Sequence, residues 1–194
     1  MTPHSSPTRA DVCPHWLSGL LDNPLRRWLH DPDTLFAGLL EPGQTALDLG
    51  CGPGTFTLAL ARRAGPAGRV IAVDLQPRML ARLRAKAEKA GLQERIQLHA
   101  CSPTALGLDP RARADFALAF WMVHEVPDPA RFLGEVLAGL RPGGRLLLVE
   151  PLLHVSAKQF ARTLELARAG GWSLEGPRAV RISRAALLRK GAKE

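Results

Sequence analysis

The sequence predicts an α/β fold, a doubly wound and mostly parallel sheet with helices on both faces. Three observations predict it. A short apolar strand ends at Leu49 and runs into glycines at 50, 52 and 54, with a helix-competent segment over 55–64 behind them. A second apolar run over 69–74 closes on a carboxylate, Asp74, 20 residues after Gly54. Further apolar strand-like runs then alternate with amphipathic helical segments, the rhythm of strands joined by crossover helices.

The glycine stretch is a strand, a tight turn and a helix N-terminus, where the main chain lets a ligand approach without a Cβ in the way. A dinucleotide fingerprint spaces its glycines G-x-G-x-x-G, because a pyrophosphate rests on the helix N-terminus. Here the third glycine comes one residue early, and Asp48 stands two residues before the first. A carboxylate there disfavours a pyrophosphate and suits a ligand carrying a cation. Asp74, at the end of the second strand, stands where an acid accepts hydrogen bonds from ribose hydroxyls.

With these residues in this order, Asp48-x-Gly50-x-Gly52-x-Gly54 resembles motif I of the class I S-adenosylmethionine-dependent methyltransferases, and 70–74 resembles their second strand. The likeness is nearest to the type 11, quinone-biosynthesis-like subgroup, whose members act mostly on small or lipophilic molecules. It implies a Rossmann-like sheet of seven strands, the last antiparallel, behind a short N-terminal helical lid. It also implies S-adenosylmethionine as cofactor and S-adenosylhomocysteine as product. The cofactor would lie over Gly50, Cys51, Gly52 and Gly54, its methionine end near Asp48, its ribose on Asp74 beside Leu75 and Gln76, and its adenine near Met79 and Cys101.

A length of 194 residues suits one domain with a sizeable core, and 46% apolar content is ordinary for a globular protein. No run of 18 uncharged apolar residues is present, so no membrane span is expected. Residues 1–15 are rich in Pro, His and Ser and lack an apolar signal core. They read as a disordered tail that directs no export. Cysteines at 13, 51 and 101 make an odd count without framework spacing, which reads as reduced thiols in a cytoplasm. The net charge of +8 is uneven, at −2 over residues 1–43, +4 over 44–150 and +6 over 151–194. A basic C-terminal third admits nucleic acid as a partner. It carries only Phe160 and Trp172 as aromatic residues, so a small-molecule substrate is favoured over a base-stacking surface. The sequence does not specify an oligomeric state.

Residues 16–43 read as two short helices forming the lid, ahead of a methyltransferase-like domain over 44–194. Asp31-Pro32 can cap and start the second helix, which carries Leu35, Phe36, Leu39 and Leu40. Most of these apolar side chains pack against the sheet, while Trp16 and Trp28 are placed toward the substrate pocket. Cys13 and His15, with His4 nearby, have metal-ligand chemistry but no second clear ligand pair, so no metal is expected.

After Asp74, a helix over 78–90 buries Met79, Leu80, Leu83 and Ala87, and Gly91 ends it. Met79 can touch the adenine or belong to the core. The run 95–100 alternates as a third strand. Many relatives then place an aspartate where Cys101 or Ser102 stands, to receive the adenine amino group. Here Cys101 would pack against the ring and Ser102, or a backbone carbonyl, would make the hydrogen bond.

The run 114–128 reads as a buried strand running into a loop and helix start, and ligands of doubly wound sheets sit beyond the carboxyl ends of strands. That puts Phe120, Trp121, His124 and Glu125 beside the transferred methyl. Neither an Asn-Pro-Pro-Tyr-like tetrad nor a Pro-Cys pair follows, so the usual tools for amino groups of adenine or glutamine and for carbon 5 of cytosine are lacking. His124 could take a proton from a hydroxyl, thiol or activated carbon while Glu125 orients it. Otherwise it caps or packs under the next helix. A helix over 130–140 follows. Leu140-Arg141-Pro142-Gly143-Gly144-Arg145-Leu146 is similar to the family's motif III, a turn feeding a fifth strand at 145–150. Glu150 and His154 would line the substrate pocket at its end. A capped helix over 156–169 and two strands, near 172–175 and 185–188, complete the sheet. An RNA or protein methyltransferase, a thiol or metalloid methyltransferase, and a non-catalytic cofactor-binding protein are the alternative readings.

Overall fold

The structure is a computed structural model, and it describes residues 30–191. The N-terminal tail, most of the lid, Trp16, Trp28, Cys13 and His15 lie outside the described residues. The seven strands are β1 (Thr45–Leu49), β2 (Arg69–Asp74), β3 (Ile96–Ala100), β4 (Ala114–Phe120), β5 (Leu140–Pro151), β6 (Trp172–Pro177) and β7 (Ser183–Lys190). They form one sheet in the order β3-β2-β1-β4-β5-β7-β6. All pairings are parallel except those of β7, which runs antiparallel to both β5 and β6.

The chain moves outward from β1 through β2 to β3, then returns to the other side of β1 for β4. The order therefore reverses between β1 and β4, and their carboxyl ends splay into a crevice. Both faces of the sheet are covered, so its strands are apolar on both sides. Phe116, Leu118 and Phe120 of β4 face one core with Leu147 and Val149 of β5, while Ala117, Ala119, Leu146 and Leu148 face the other. Successive side chains on a strand point to opposite faces, and this alternation divides the two cores.

Five helices complete the described fold: α1 (Pro32–Leu35), α2 (Thr57–Ala64), α3 (Pro77–Lys89), α4 (Pro129–Gly139) and α5 (Ala157–Ala169). Leu60 and Ala61 of α2 and Leu80 and Leu83 of α3 pack on the first core, with Phe132, Leu133 and Val136 of α4 on the second. The helix expected across Leu35 to Leu40 is a single turn, α1, capped by the Asp31 carboxylate on the Asp33 and Thr34 N–H groups. Gly38, at φ +68°, takes the chain out of the helical region. Phe36, Leu39 and Leu40 are nonetheless buried, and the Phe36 ring meets Phe56 at 6.0 Å and Phe116 at 6.1 Å.

The turn expected at 141–144 is a bulge inside a longer β5. Leu140 pairs with Ala114, and pairing resumes between Arg145 and Phe116. Five residues of β5 thus advance against two of β4, and Pro142 falls between these pairings, where its missing N–H costs no ladder hydrogen bond.

Candidate active site

A cavity of about 720 Å³ opens at the carboxyl end of the sheet. It is lined from the β1–α2 loop, from the ends of β2 and β3, and from the segments that follow β4 and β5. At one end, Gly50, Cys51 and Gly52 form the wall after β1. Gly52 has φ +54°, and a Cβ there would meet no protein atom within 4 Å. The side facing the cavity is therefore clear for a ligand to lie along the main chain. Gly54 behaves differently. It is absent from the cavity wall, and a Cβ at that position would run into Leu83 of α3. The missing Cβ at Gly54 lets α3 pack close to the loop.

Asp48 is 3% exposed, lines the cavity, and accepts the Thr57 hydroxyl at 2.5 Å. Asp74 is buried at the end of β2, where Oδ2 accepts the Gly52 N–H and Oδ1 the Gln76 N–H, both at 2.8 Å. Burial raises its pKa above the usual carboxylate range, against those backbone donors. The second carboxylate therefore also clamps the glycine loop. Each of its oxygens keeps acceptor capacity for a hydroxyl. Leu75, Gln76 and Met79 line the same region, and Met79 also lies on the buried face of α3.

Cys101 and Ser102 follow β3 on the wall. The Ser102 hydroxyl donates to the Ala105 carbonyl at 3.2 Å and accepts the Ala105 N–H at 3.0 Å, closing its own turn. Burial pushes the Cys51 and Cys101 thiols upward, with the nearby carboxylates adding to the shift. Neither environment favours the thiolate that a soft metal or metalloid would need.

At the other end, Phe120 packs on Phe56 at 4.5 Å and Trp121 lies beside it. Trp121 has φ +59°, uncommon outside glycine, and is held from several directions. Its N–H donates to the Val149 carbonyl at 2.8 Å, its indole N–H donates to the Ser183 hydroxyl at 2.9 Å, and the His30 ring meets it edge-on at 5.2 Å.

His124 sits in a short 3-10 turn, Val123–Glu125, directly after β4. Its Nδ1 lies 2.6 Å from Glu150 Oε2, and its backbone N–H donates to Glu150 Oε1 at 3.0 Å. Its Nε2 is 3.9 Å from Glu125 Oε1. The orienting carboxylate is thus Glu150 and not Glu125. A carboxylate only accepts, so Nδ1 carries the hydrogen and Nε2 becomes the basic nitrogen of the neutral ring. The Glu150 hydrogen bond raises the His124 pKa above the ordinary histidine value, while burial opposes the shift.

Glu150 was expected on the substrate wall. At 2% exposed it is absent from that wall and lies against His124. The parallel register explains this, because Phe120 pairs with Val149 and the next residues of both strands meet at the carboxyl end. His154 does line the cavity, its ring 6.0 Å from that of His124. Of the described lid residues, Phe36, Leu39 and Leu40 pack on the core and His30 on the Trp121 ring, and none of residues 30–43 lines the cavity.

Sequence reasoning missed Thr57, Ser183, Leu152, Leu153 and Ile182. Thr57 stands nine residues after Asp48, a spacing that placed both near the loop without pairing them. Leu152 and Leu153 follow the end of β5, whereas Ile182 and Ser183 reach the site because β7 reverses direction and starts beside that end. No local pattern signals that.

The family described as a methyltransferase domain matches residues 46–144, about half of the chain and the segment that builds this cavity's core. A ubiquinone biosynthesis O-methyltransferase from Rhodopseudomonas palustris is 31% identical over 152 residues, covering 77% of this chain and 54% of the relative. A demethylmenaquinone methyltransferase from Lactobacillus johnsonii is 33% identical over 111 residues, covering 57% of this chain and 45% of the relative. The chain thus spans about half the length of these curated relatives. A crystal structure of a SAM dependent methyltransferase from Aquifex aeolicus superposes with a TM-score of 0.81 at 22% identity, covering 91% of this chain and 98% of that one. Together with the acid-flanked glycine loop at the strand-order switch, the domain match makes this chain a member of the class I S-adenosylmethionine-dependent methyltransferase family.

Proposed function

We propose that the chain transfers a methyl group from S-adenosylmethionine to a compact, largely apolar acceptor, with His124 taking the acceptor's proton. The residues that would hold the cofactor are Gly50, Cys51 and Gly52 along the main chain, Asp74 at the ribose, and Asp48 toward the methionine end. Leu75, Gln76, Met79, Cys101 and Ser102 would surround the adenosine. Two features support this fit: the Cβ-free wall at Gly52, and a buried Asp74 whose oxygens each retain acceptor capacity. Bound there, S-adenosylmethionine supplies a sulfonium methyl open to in-line displacement.

The remaining chemistry belongs to the protein. Phe120, Trp121 and Met122 form an apolar wall that excludes water and holds a flat acceptor. His124 Nε2 receives the acceptor's proton, while Glu150 holds Nδ1–H and stabilises the imidazolium that results. Glu125 and His154 lie near enough to contact polar groups of the acceptor. An acidic hydroxyl suits this arrangement best, because its proton must leave as the methyl arrives. The name of one relative, an O-methyltransferase of ubiquinone biosynthesis, agrees with that choice. The observation that carries the reading is the 2.6 Å His124–Glu150 contact at the far end of a cavity that begins at Asp48 and Asp74.

Isothermal calorimetry with S-adenosylhomocysteine, followed by transfer of labelled methyl to a panel of hydroxylated aromatics and RNAs, tests it. Tight binding that His124→Ala leaves intact, with turnover lost, is the expected outcome. Failure to bind the cofactor product, or full turnover by His124→Ala, refutes it.

A further inference from the structure

Among the described residues, the large apolar side chains left exposed are three: Leu153 at 94%, Ile182 at 50% and Leu152 at 43%. All three lie at the mouth of the cavity. They come from two loops tied together, since the Leu152 N–H donates to the Ile182 carbonyl at 3.0 Å. Ile182 has φ +48°, a region closed to most β-branched residues, and its side chain is half exposed all the same. Strain of that kind persists where surrounding structure imposes it, and here it maintains an aliphatic tip outside the core.

The two stretches of chain that carry the tip bear cations and no acids. No Asp or Glu occurs between Glu150 and Glu165, or between Glu175 and Glu194. Lys158, Arg178 and Arg181 are exposed in these stretches, and Arg184 braces the loop by donating from Nε to the Val155 carbonyl at 3.0 Å. Acidic side chains on the cavity wall, Glu125, Asp128 and Glu135, belong to the segments after β4 and not to the two stretches that carry the tip.

We propose that this rim docks on an anionic lipid bilayer, with Leu152, Leu153 and Ile182 entering the headgroup–acyl boundary and the arginines and Lys158 meeting lipid phosphates. Aliphatic tips on stretches that carry cations and no acids suit that surface. A nucleic-acid platform would require aromatic stacking groups, and a protein hot spot favours Trp, Tyr or Arg at a packed centre. The exposed tip has only aliphatic side chains. Docking in this orientation sets the cavity mouth against the acyl chains, so an apolar acceptor would enter without crossing water.

The test is flotation of the full chain with phosphatidylcholine vesicles, with and without about 30 mol% phosphatidylglycerol. No methyl transfer is involved, so the result stands apart from the activity proposed above. The chain should float with the anionic vesicles about tenfold more than with neutral ones, and high salt should release it. Leu153→Glu should lower the bound fraction about tenfold, and Arg178→Glu with Arg181→Glu should lower it comparably. Leu153 is almost wholly exposed, and circular dichroism of each variant confirms that folding is kept. The proposal is overturned if the wild-type chain ignores anionic vesicles, or if Leu153→Glu floats as well as wild type. It is equally overturned if the tip proves to mediate self-association or tRNA binding in place of vesicle binding.

Discussion

His124 carries two properties that usually oppose each other: it faces a cavity that admits ligand, and its ring is fixed by a buried carboxylate. The Glu150 contact raises its pKa above the ordinary value of about 6.5. A general base acts in its deprotonated form, so kcat/KM should rise with pH through a pKa above that value. Glu150→Gln should move the limb to lower pH and lower the plateau by about 10²-fold, which a pH–rate profile of both proteins would show. Stability follows the opposite sense. The protonated pair stabilises the fold fully below the unfolded histidine pKa, and that contribution is lost as pH rises through the higher folded value. Urea midpoints should therefore separate wild type from Glu150→Gln more at about pH 6 than at about pH 8.5. His124 was legible in the sequence because a histidine follows a strand that is apolar from Phe116 to Phe120, at its ligand end. Its partner was not, because Glu150 lies 26 residues away on another strand and only register joins them.

The elements around the glycine loop hold their shape through a few contacts that sequence spacing describes only partly. Thr57, in the first turn of α2, is fully buried and donates to Asp48. Thr57→Val keeps the shape but removes a donor from a buried carboxylate, so it should cost about 1–3 kcal/mol in chemical denaturation and weaken cofactor binding. Gly54→Ala meets two obstacles, φ +89° and the Leu83 side chain. It should destabilise by more than about 1 kcal/mol through displacement of α3, without adding anything to the cavity wall. Farther from the site, Ser156 and Gln159 cap α5 reciprocally, and Ser156→Ala should cost about 1 kcal/mol and leave turnover unchanged. The caps, the amphipathic faces and the glycine ends of α3 and α5 were readable from residue types. The short α1 was less so, because burial of Leu39 and Leu40 imitates a helical stripe while Gly38 turns the chain away.

Over the whole molecule, alternation of strands and helices, with acids closing the first two strands, foretold a parallel sheet and the end at which a ligand would bind. The reversal of β7 came from family resemblance, since antiparallel entry leaves no mark in periodicity. A ligand held across β1, β2 and β4 ties together strands on both sides of the switch point. S-adenosylhomocysteine at about 100 times its Kd should raise Tm by roughly 5–10 °C, and Asp74→Ala should abolish most of that shift in a thermal melt. The direction of β7 has a practical corollary. Its first residue, Ser183, stands beside Pro151 at the cavity, while Lys190 ends near Trp172 and Arg145 at the opposite pole. A biotin handle or fusion partner attached beyond Lys190 would moor the molecule by its base, leaving the mouth turned outward to a vesicle, a bead or a flowing reagent.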